Sequence, residues 1–148
     1  MIISFIKKDK KHLTRLIFAD NSELLLDNDI VSEQGIAVGC DLSAEEIKAL
    51  KFDSDYKRAK SRAFWYLDRM DYTEKALYEK LLKAGFPKRA SAAVIARLCE
   101  LGVIDDRRYA ERMAERCKEN NISKREAMQK MLLKGVPYEL AKELLDDC

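Results

Sequence analysis

Three kinds of apolar pattern follow one another along the chain. The first is a set of short runs at the start. Residues 2–6 (IISFI), 12–18 (HLTRLIF) and 23–26 (ELLL) are rich in β-branched, aromatic and aliphatic side chains. The lysine-rich residues 7–11 separate the first two, and the turn-forming Asp20-Asn21-Ser22 precedes the third. They predict a small antiparallel β-meander, too short to stand without a helix packed on it. Residues 30–39 read as irregular or as a brief helical turn, punctuated by Gly35 and Gly39.

The second pattern is helical. Ser43 with Glu46 three residues on forms a capping box, in which the hydroxyl takes an early backbone N–H and the carboxylate reaches back. The helix it opens carries Ile47 and Leu50 inward and is expected to loosen near Phe52-Asp53-Ser54. A longer helix is expected over 55–70, with Ala59, Ala63, Tyr66, Leu67 and Met70 on one face at three- and four-residue steps. Phe64 and Trp65 widen that stripe, while Lys57, Arg58, Arg62 and Arg69 lie mostly off it. An indole among basic residues can stack on a nucleic-acid base. The preferred reading of Trp65 is packing in the core or against the meander.

The third pattern is repetition. Leu81, Leu82, Gly85, Phe86 and Pro87 are answered fifty residues later by Met131, Leu132, Gly135, Val136 and Pro137. Val94 and Ile95 are answered by Leu144 and Leu145. A fixed period with recurring Gly-apolar-Pro punctuation predicts stacked helical units. Thr73 caps a helix over 74–84, and Gly85 supplies its left-handed stop. Pro87 leads into a helix over 88–101 that buries Ala90, Val94, Leu98 and Leu101. Ile104, Asp105 and Asp106 then form a staple and caps for a helix over 107–119, which buries Tyr109, Ala110, Met113, Ala114 and Cys117. Ser123 and Glu126 make a second capping box before a helix over 124–134, and a last helix runs over 138–146. The expected architecture is mainly α: tandem three-helix repeats in a curved array with a small N-terminal β-meander. Its parts are 1–54 (meander plus capped helix), 55–104 (first repeat) and 105–148 (second repeat).

Composition narrows the function. Charged residues make up 36% of the chain, against roughly 25% for an average domain, which fits elongated helices with much solvated surface. The net charge of +2 is uneven: residues 1–56 hold 7 basic and 11 acidic side chains, and residues 57–148 hold 21 and 15. The helical part is therefore the half suited to an anionic partner, although solvated helix faces account for most such charge. Arg108, Arg112 and Arg116, spaced by four, form a ridge with Glu111, Glu115 and Glu119 running alongside as intrahelical partners. The cysteines Cys40, Cys99, Cys117 and Cys148 show no CxxC spacing, and His12 is the only histidine. No metal site is expected, and Cys99 and Cys117 read as small buried hydrophobes. Asp105 and Asp106 read as caps rather than as an acid pair. With no phosphate-cradling glycine loop, no histidine beside a nucleophile and no convergent acids, no catalytic or cofactor-binding residue is assigned. Neither a membrane span nor a secretory leader is evident, so the default is a cytoplasmic protein.

The motifs together resemble the RecX family of regulators of the RecA recombinase. The resemblance is carried by Ala63…Tyr66-Leu67…Arg69, by Leu77…Lys80-Leu81…Gly85-Phe86, and by Val94…Leu98…Leu101-Gly102-Val103-Ile104-Asp105-Asp106…Tyr109-Ala110. In the second unit, Met131…Lys134-Gly135-Val136 matches the family's L-x-x-K-G-I element. The resemblance covers essentially the whole chain, and the run from Gly102 to Ala110 is its most specific part. Two departures stand out. The chain has room for two repeats where many members carry three, so it is a short or a truncated member. Asn120-Asn121 also stands where the family often has a glycine. The resemblance implies a non-enzymatic protein that would bind RecA filaments and inhibit or modulate recombination, DNA repair and the SOS response. Separately, no cofactor and a monomeric state are expected. Carried onto this chain, the candidate partner-binding residues are Lys57, Arg58, Arg62, Arg69, Arg108, Arg112 and Arg116. The competing reading is a direct nucleic-acid binder, either a transcriptional regulator or a weak, nonspecific binder of single- or double-stranded DNA. No single helix shows a clean basic face for a groove.

Overall fold

The computed structural model describes residues 1–146; the terminal Cys148, and any expectation for it, lies outside them. The chain forms two compact units, Met1–Ser61 and Arg62–Cys148. It is mainly helical, with one small sheet.

In the first unit the predicted meander forms. Strands β1 (Ile3–Lys8), β2 (Leu13–Phe18) and β3 (Glu23–Asp27) pair antiparallel in the order β1-β2-β3. The register sets Ile6 opposite Leu16 and Leu16 opposite Leu24, with an irregularity between Ile3 and Phe5. Side chains alternate between faces along a strand. In β2 this buries Thr14, Leu16 and Phe18 and leaves Leu13, Arg15 and Ile17 half-buried. The covered face packs with Ile3, Leu26, Ile30, Leu42 and Leu50 into one apolar cluster. A short helix, α1 (Asn28–Glu33), occupies part of the stretch that read as irregular; Asp27 caps it by accepting from the Asp29 N–H at 2.9 Å.

The expected break near Phe52-Asp53-Ser54 is absent. A single helix, α2, runs Ala44–Leu67. The capping box that starts it is present: Ser43 Oγ accepts from the Glu46 N–H at 3.1 Å, and Glu46 Oε1 accepts from the Ser43 N–H at 3.3 Å. Ser and Asp weaken helix interiors when their side chains compete for nearby backbone groups. Here the competitors are occupied. Ser54, fully buried, accepts the Asp27 N–H on its Oγ at 2.8 Å, and Asp55 receives Lys51 Nζ at 3.1 Å. With no glycine or proline between 44 and 67, nothing else interrupts the ladder.

The second unit contains the end of α2 and five further helices: α3 (Glu74–Lys83), α4 (Lys88–Glu100), α5 (Asp106–Glu119), α6 (Lys124–Lys134) and α7 (Tyr138–Asp146). Thr73, Asp105 and Ser123 cap α3, α5 and α6 as predicted, each accepting an N–H three residues on. Leu77, Leu81, Ala90, Val94, Leu98 and Ile104 are buried around α3 and α4, and Ala110, Met113, Cys117, Ala127, Met131, Val136, Ala141 and Leu145 form a core of α5, α6 and α7. Leu101 departs from expectation. It ends α4 at 49% exposure, and Ile95 is buried in its stead. The helix stops at Leu101, so the next inward position is taken by Ile104 after the turn. Met70 is also exposed, because α2 has ended at Leu67 and the helical period no longer governs its direction.

Candidate partner-binding surface

The seven basic residues singled out by sequence fall in both units and differ in what holds them. In the first unit, Lys57 is held by Asp29 at 2.7 Å, with Asp27 at 4.0 Å. That hydrogen bond raises the lysine's pKa and lowers that of the aspartate. Arg58 is half-buried and makes no ion pair among the described residues. The remaining five lie in the second unit.

The arginine ridge on α5 is largely engaged, and not by the glutamates beside it. Arg108 Nη2 donates to the carbonyls of Gly102 and Val103, each at 3.3 Å, closing the turn between α4 and α5. Arg112 donates to Asp71 at 2.8 Å. The neighbouring Arg107 reaches Glu143 on α7 at 2.8 Å and Glu111 only at 3.9 Å. Arg116 alone of the ridge has neither an ion pair nor a side-chain hydrogen bond among the described residues.

Arg62 and Arg69 instead build an aromatic–cationic patch at the end of α2. Arg69 stacks on the Trp65 indole with its guanidinium carbon 3.4 Å from the ring centroid, and its Nη1 donates to the Trp65 carbonyl at 2.8 Å. Arg62 lies 5.9 Å from the rings of both Trp65 and Tyr66. Lys80 on α3, which sequence reasoning passed over, sits 5.3 Å from the Tyr66 ring. Tyr66 in turn meets Trp65 edge-on at 5.4 Å and Tyr72 at 6.2 Å. Trp65 is 49% exposed, so packing inside a core is overturned for it. The i,i+4 spacing of Trp65 and Arg69 places the cation over the ring, and exposed cation–π pairs of this kind contribute about 0.5–1 kcal/mol.

A polar junction positions these elements. Thr73 Oγ1 accepts the Ala76 N–H at 3.1 Å and donates to the Lys134 carbonyl at the end of α6 at 2.6 Å. Asp105 caps α5 as expected, but Asp106 accepts the Glu74 N–H at 2.9 Å and so caps the start of α3. Burial pushes the Asp106 carboxyl above the ordinary range, and the nearby Glu74 and Asp105 add to this. Glu74 also receives Cys99 Sγ at 2.5 Å; burial, reinforced by that carboxylate, pushes the Cys99 thiol up to about 12. Cys99 is half-buried rather than a core residue. A neutral thiol is a poor nucleophile. Iodoacetamide at about pH 8 is therefore expected to leave Cys99 unmodified in the folded protein and to modify it in urea, read by peptide mass spectrometry. Equal rates in the two states would contradict the assignment. The thiol's contribution to stability is full below its ordinary value of 9.0 and is lost as pH rises towards about 12.

Among the described residues no group of three His, Cys, Asp or Glu side chains is placed to hold a metal ion. No described helix is long and apolar enough to cross a membrane.

Comparison with known proteins places this arrangement. The family described as RecX, first three-helix domain, matches residues 59–98, which span the end of α2, α3 and most of α4. The regulatory protein RecX of Clostridium tetani is 24% identical over 142 residues, covering 95% of this chain and 65% of that protein. The RecX of Clostridium perfringens strain SM101 is 27% identical over 111 residues, covering 74% and 52%. The chain thus spans between half and two-thirds of the length of these relatives. A crystal structure of regulatory protein RecX superposes over 99% of this chain and 73% of its own, with a TM-score of 0.65 at 20% identity, and so shares the fold. A second, of RecX from Lactobacillus salivarius, covers 62% of this chain with a TM-score of 0.58. With the helical pattern, its capped joints and these relatives in agreement, residues 59–98 match the first three-helix domain of RecX, and the chain as a whole is similar to regulatory RecX proteins and shares their fold.

Proposed function

We propose that this protein binds RecA filaments and restrains them, acting as a non-enzymatic modulator of recombination and of the DNA-damage response in the cytoplasm. Its similarity to regulatory RecX proteins across 95% of the chain carries the reading. In it, residues 55–104 and 105–148 act as successive repeats, and the protein works as a monomer. The physical case is one of many small contacts. A helical array offers an extended surface to a filament groove, and exposed arginines add salt-sensitive steering. Within the second unit Arg62 and Arg69 are the best-placed of the candidate cations, because they are exposed and spent on aromatic rings rather than on carboxylates.

The test is RecA-catalysed ATP hydrolysis on single-stranded DNA with increasing amounts of this protein. Hydrolysis is expected to fall. The Arg62→Glu/Arg69→Glu double variant is expected to need about tenfold more protein for the same effect, the scale of removing a small cluster of interface charges. No fall at several-fold excess of folded protein sinks the reading.

The half-exposed Trp65 under Arg69 favours a second reading, weak nonspecific binding of single-stranded nucleic acid. Aromatic and guanidinium planes stack on bases, at roughly 1–3 kcal/mol per base. A titration at two salt concentrations without RecA separates the two, since a nucleic-acid binder shows a steep salt slope by itself.

A further inference from the structure

A cleft of about 380 Å³ opens between the 70–71 turn, α5 and α6. Its apolar floor includes Tyr109 and Met113 of α5 and Ile122 of the turn that follows. Three cations line it: Arg116 from α5, and Lys130 and Lys134 from α6. Arg116 and Lys134 have no ion pair among the described residues, and Lys130 approaches Glu126 only to 3.9 Å. Asp71 is the one acid in the lining, and its carboxylate is already engaged by Arg112 at 2.8 Å. The walls are held in place, because Thr73 donates to the Lys134 carbonyl at 2.6 Å and the Arg112–Asp71 pair ties the turn to α5.

We propose that this cleft binds an acidic peptide segment of a protein partner. One carboxylate lies against Arg116 and Lys134, and an adjacent apolar side chain rests on the Tyr109, Met113 and Ile122 floor. Unpaired cations over an apolar base call for a ligand that is charged at one end and greasy at the other. A nucleic-acid strand fits less well. Its phosphates need a continuing track of cations, whereas the surface beside the cleft carries Glu115 and Glu119 together with the already engaged Arg112. Those acids repel an extended polyanion and leave a short acidic peptide undisturbed. Sequence inspection placed Arg116 on a ridge and omitted the lysines, although Lys130 and Lys134 share a face by their spacing of four.

The experiment is a fluorescence anisotropy titration of the full chain with a labelled hexapeptide, Asp-Glu-Leu-Phe-Glu-Asp. Its controls are the same peptide with Asn and Gln for the acids, the peptide with Ser for Leu and Phe, and oligothymidylate. Saturable binding is expected for the first peptide alone. The Arg116→Glu/Lys134→Glu variant is expected to weaken it about tenfold or more, as for truncation of central charged contacts. Lys118→Glu, on α5 but outside the cleft lining, is expected to leave it within about twofold. Both substituted cleft residues are exposed, and a thermal melt checks that the fold is retained. The proposal is overturned by a neutral peptide binding equally, by an unaltered double variant, or by Lys118→Glu costing as much. Oligothymidylate binding that is tighter and equally sensitive to the double variant also overturns it, and gives the cleft to nucleic acid. No recombinase is present, so this outcome and that of the filament assay are independent.

Discussion

Replacing Gly135 with alanine is expected to lower the unfolding free energy by about 2–4 kcal/mol, far more than the same change at Gly85, for which about 1 kcal/mol is expected. The two glycines hold corresponding places in the fifty-residue echo and nearly the same backbone conformation, with φ of +96° and +97°. A side chain on either carries the cost of the left-handed region. Only at Gly135 is there a second cost. A Cβ there would come within 2.8 Å of Thr73 Oγ1 and 3.0 Å of Lys75 Cβ, whereas nothing lies within 4 Å of one at Gly85. Thr73 cannot retreat freely, because the same oxygen caps α3 and donates to the Lys134 carbonyl. Urea denaturation of the two variants measures the difference. Equal losses would mean that the close approach of α6 to the start of α3 has no energetic weight.

Leu98→Ala is expected to cost about 2–5 kcal/mol, and Leu101→Ala less than about 1 kcal/mol. Both leucines follow the inward period of α4, and periodicity alone treats them alike. Leu98 is fully buried, so truncation removes transfer free energy and leaves a cavity. Its carbonyl also accepts the Val103 N–H at 2.9 Å, so its backbone sits where the chain reverses towards α5. Leu101 ends the helix at 49% exposure and has little left to lose. Denaturation midpoints decide this too, and a Leu101 variant as unstable as the Leu98 variant would show that the exposed end of α4 packs more tightly than the structure has it.

These contrasts mark how far the sequence could be read. Strands, helices and their stops were legible because they depend on local chemistry. Capping residues name helix starts, glycines at positive φ name several of their stops, and alternation or a three-to-four period names the buried face. The helices α3 and α6 start fifty residues apart, as do α4 and α7, which the repeated Gly-apolar-Pro corner announces. Local rules failed at Phe52-Asp53-Ser54, where polar residues suggested a break. A hydrogen bond from a residue 27 positions away occupied Ser54 and let the helix continue.

The candidate surface was less legible. An arginine's value to a partner depends on which acids and carbonyls reach it, and those come from distant segments. Asp71 takes Arg112 from 41 residues away, and Glu143 takes Arg107 from 36. Asp106 reads as a cap of its own helix yet caps α3, 32 residues back. Trp65 reads as core because indoles usually are, and the fold leaves it half exposed beneath Arg69. By itself, then, the sequence determined the mainly helical fold, the meander, the repeat corner and the family resemblance, all of which rest on short-range propensity and periodicity. Tertiary structure alone decided which basic residues are paired and which are free, where Arg116, Lys130 and Lys134 converge, and why Gly135 must be glycine. Those properties depend on which segments meet in space, and spacing along the chain does not encode that contact.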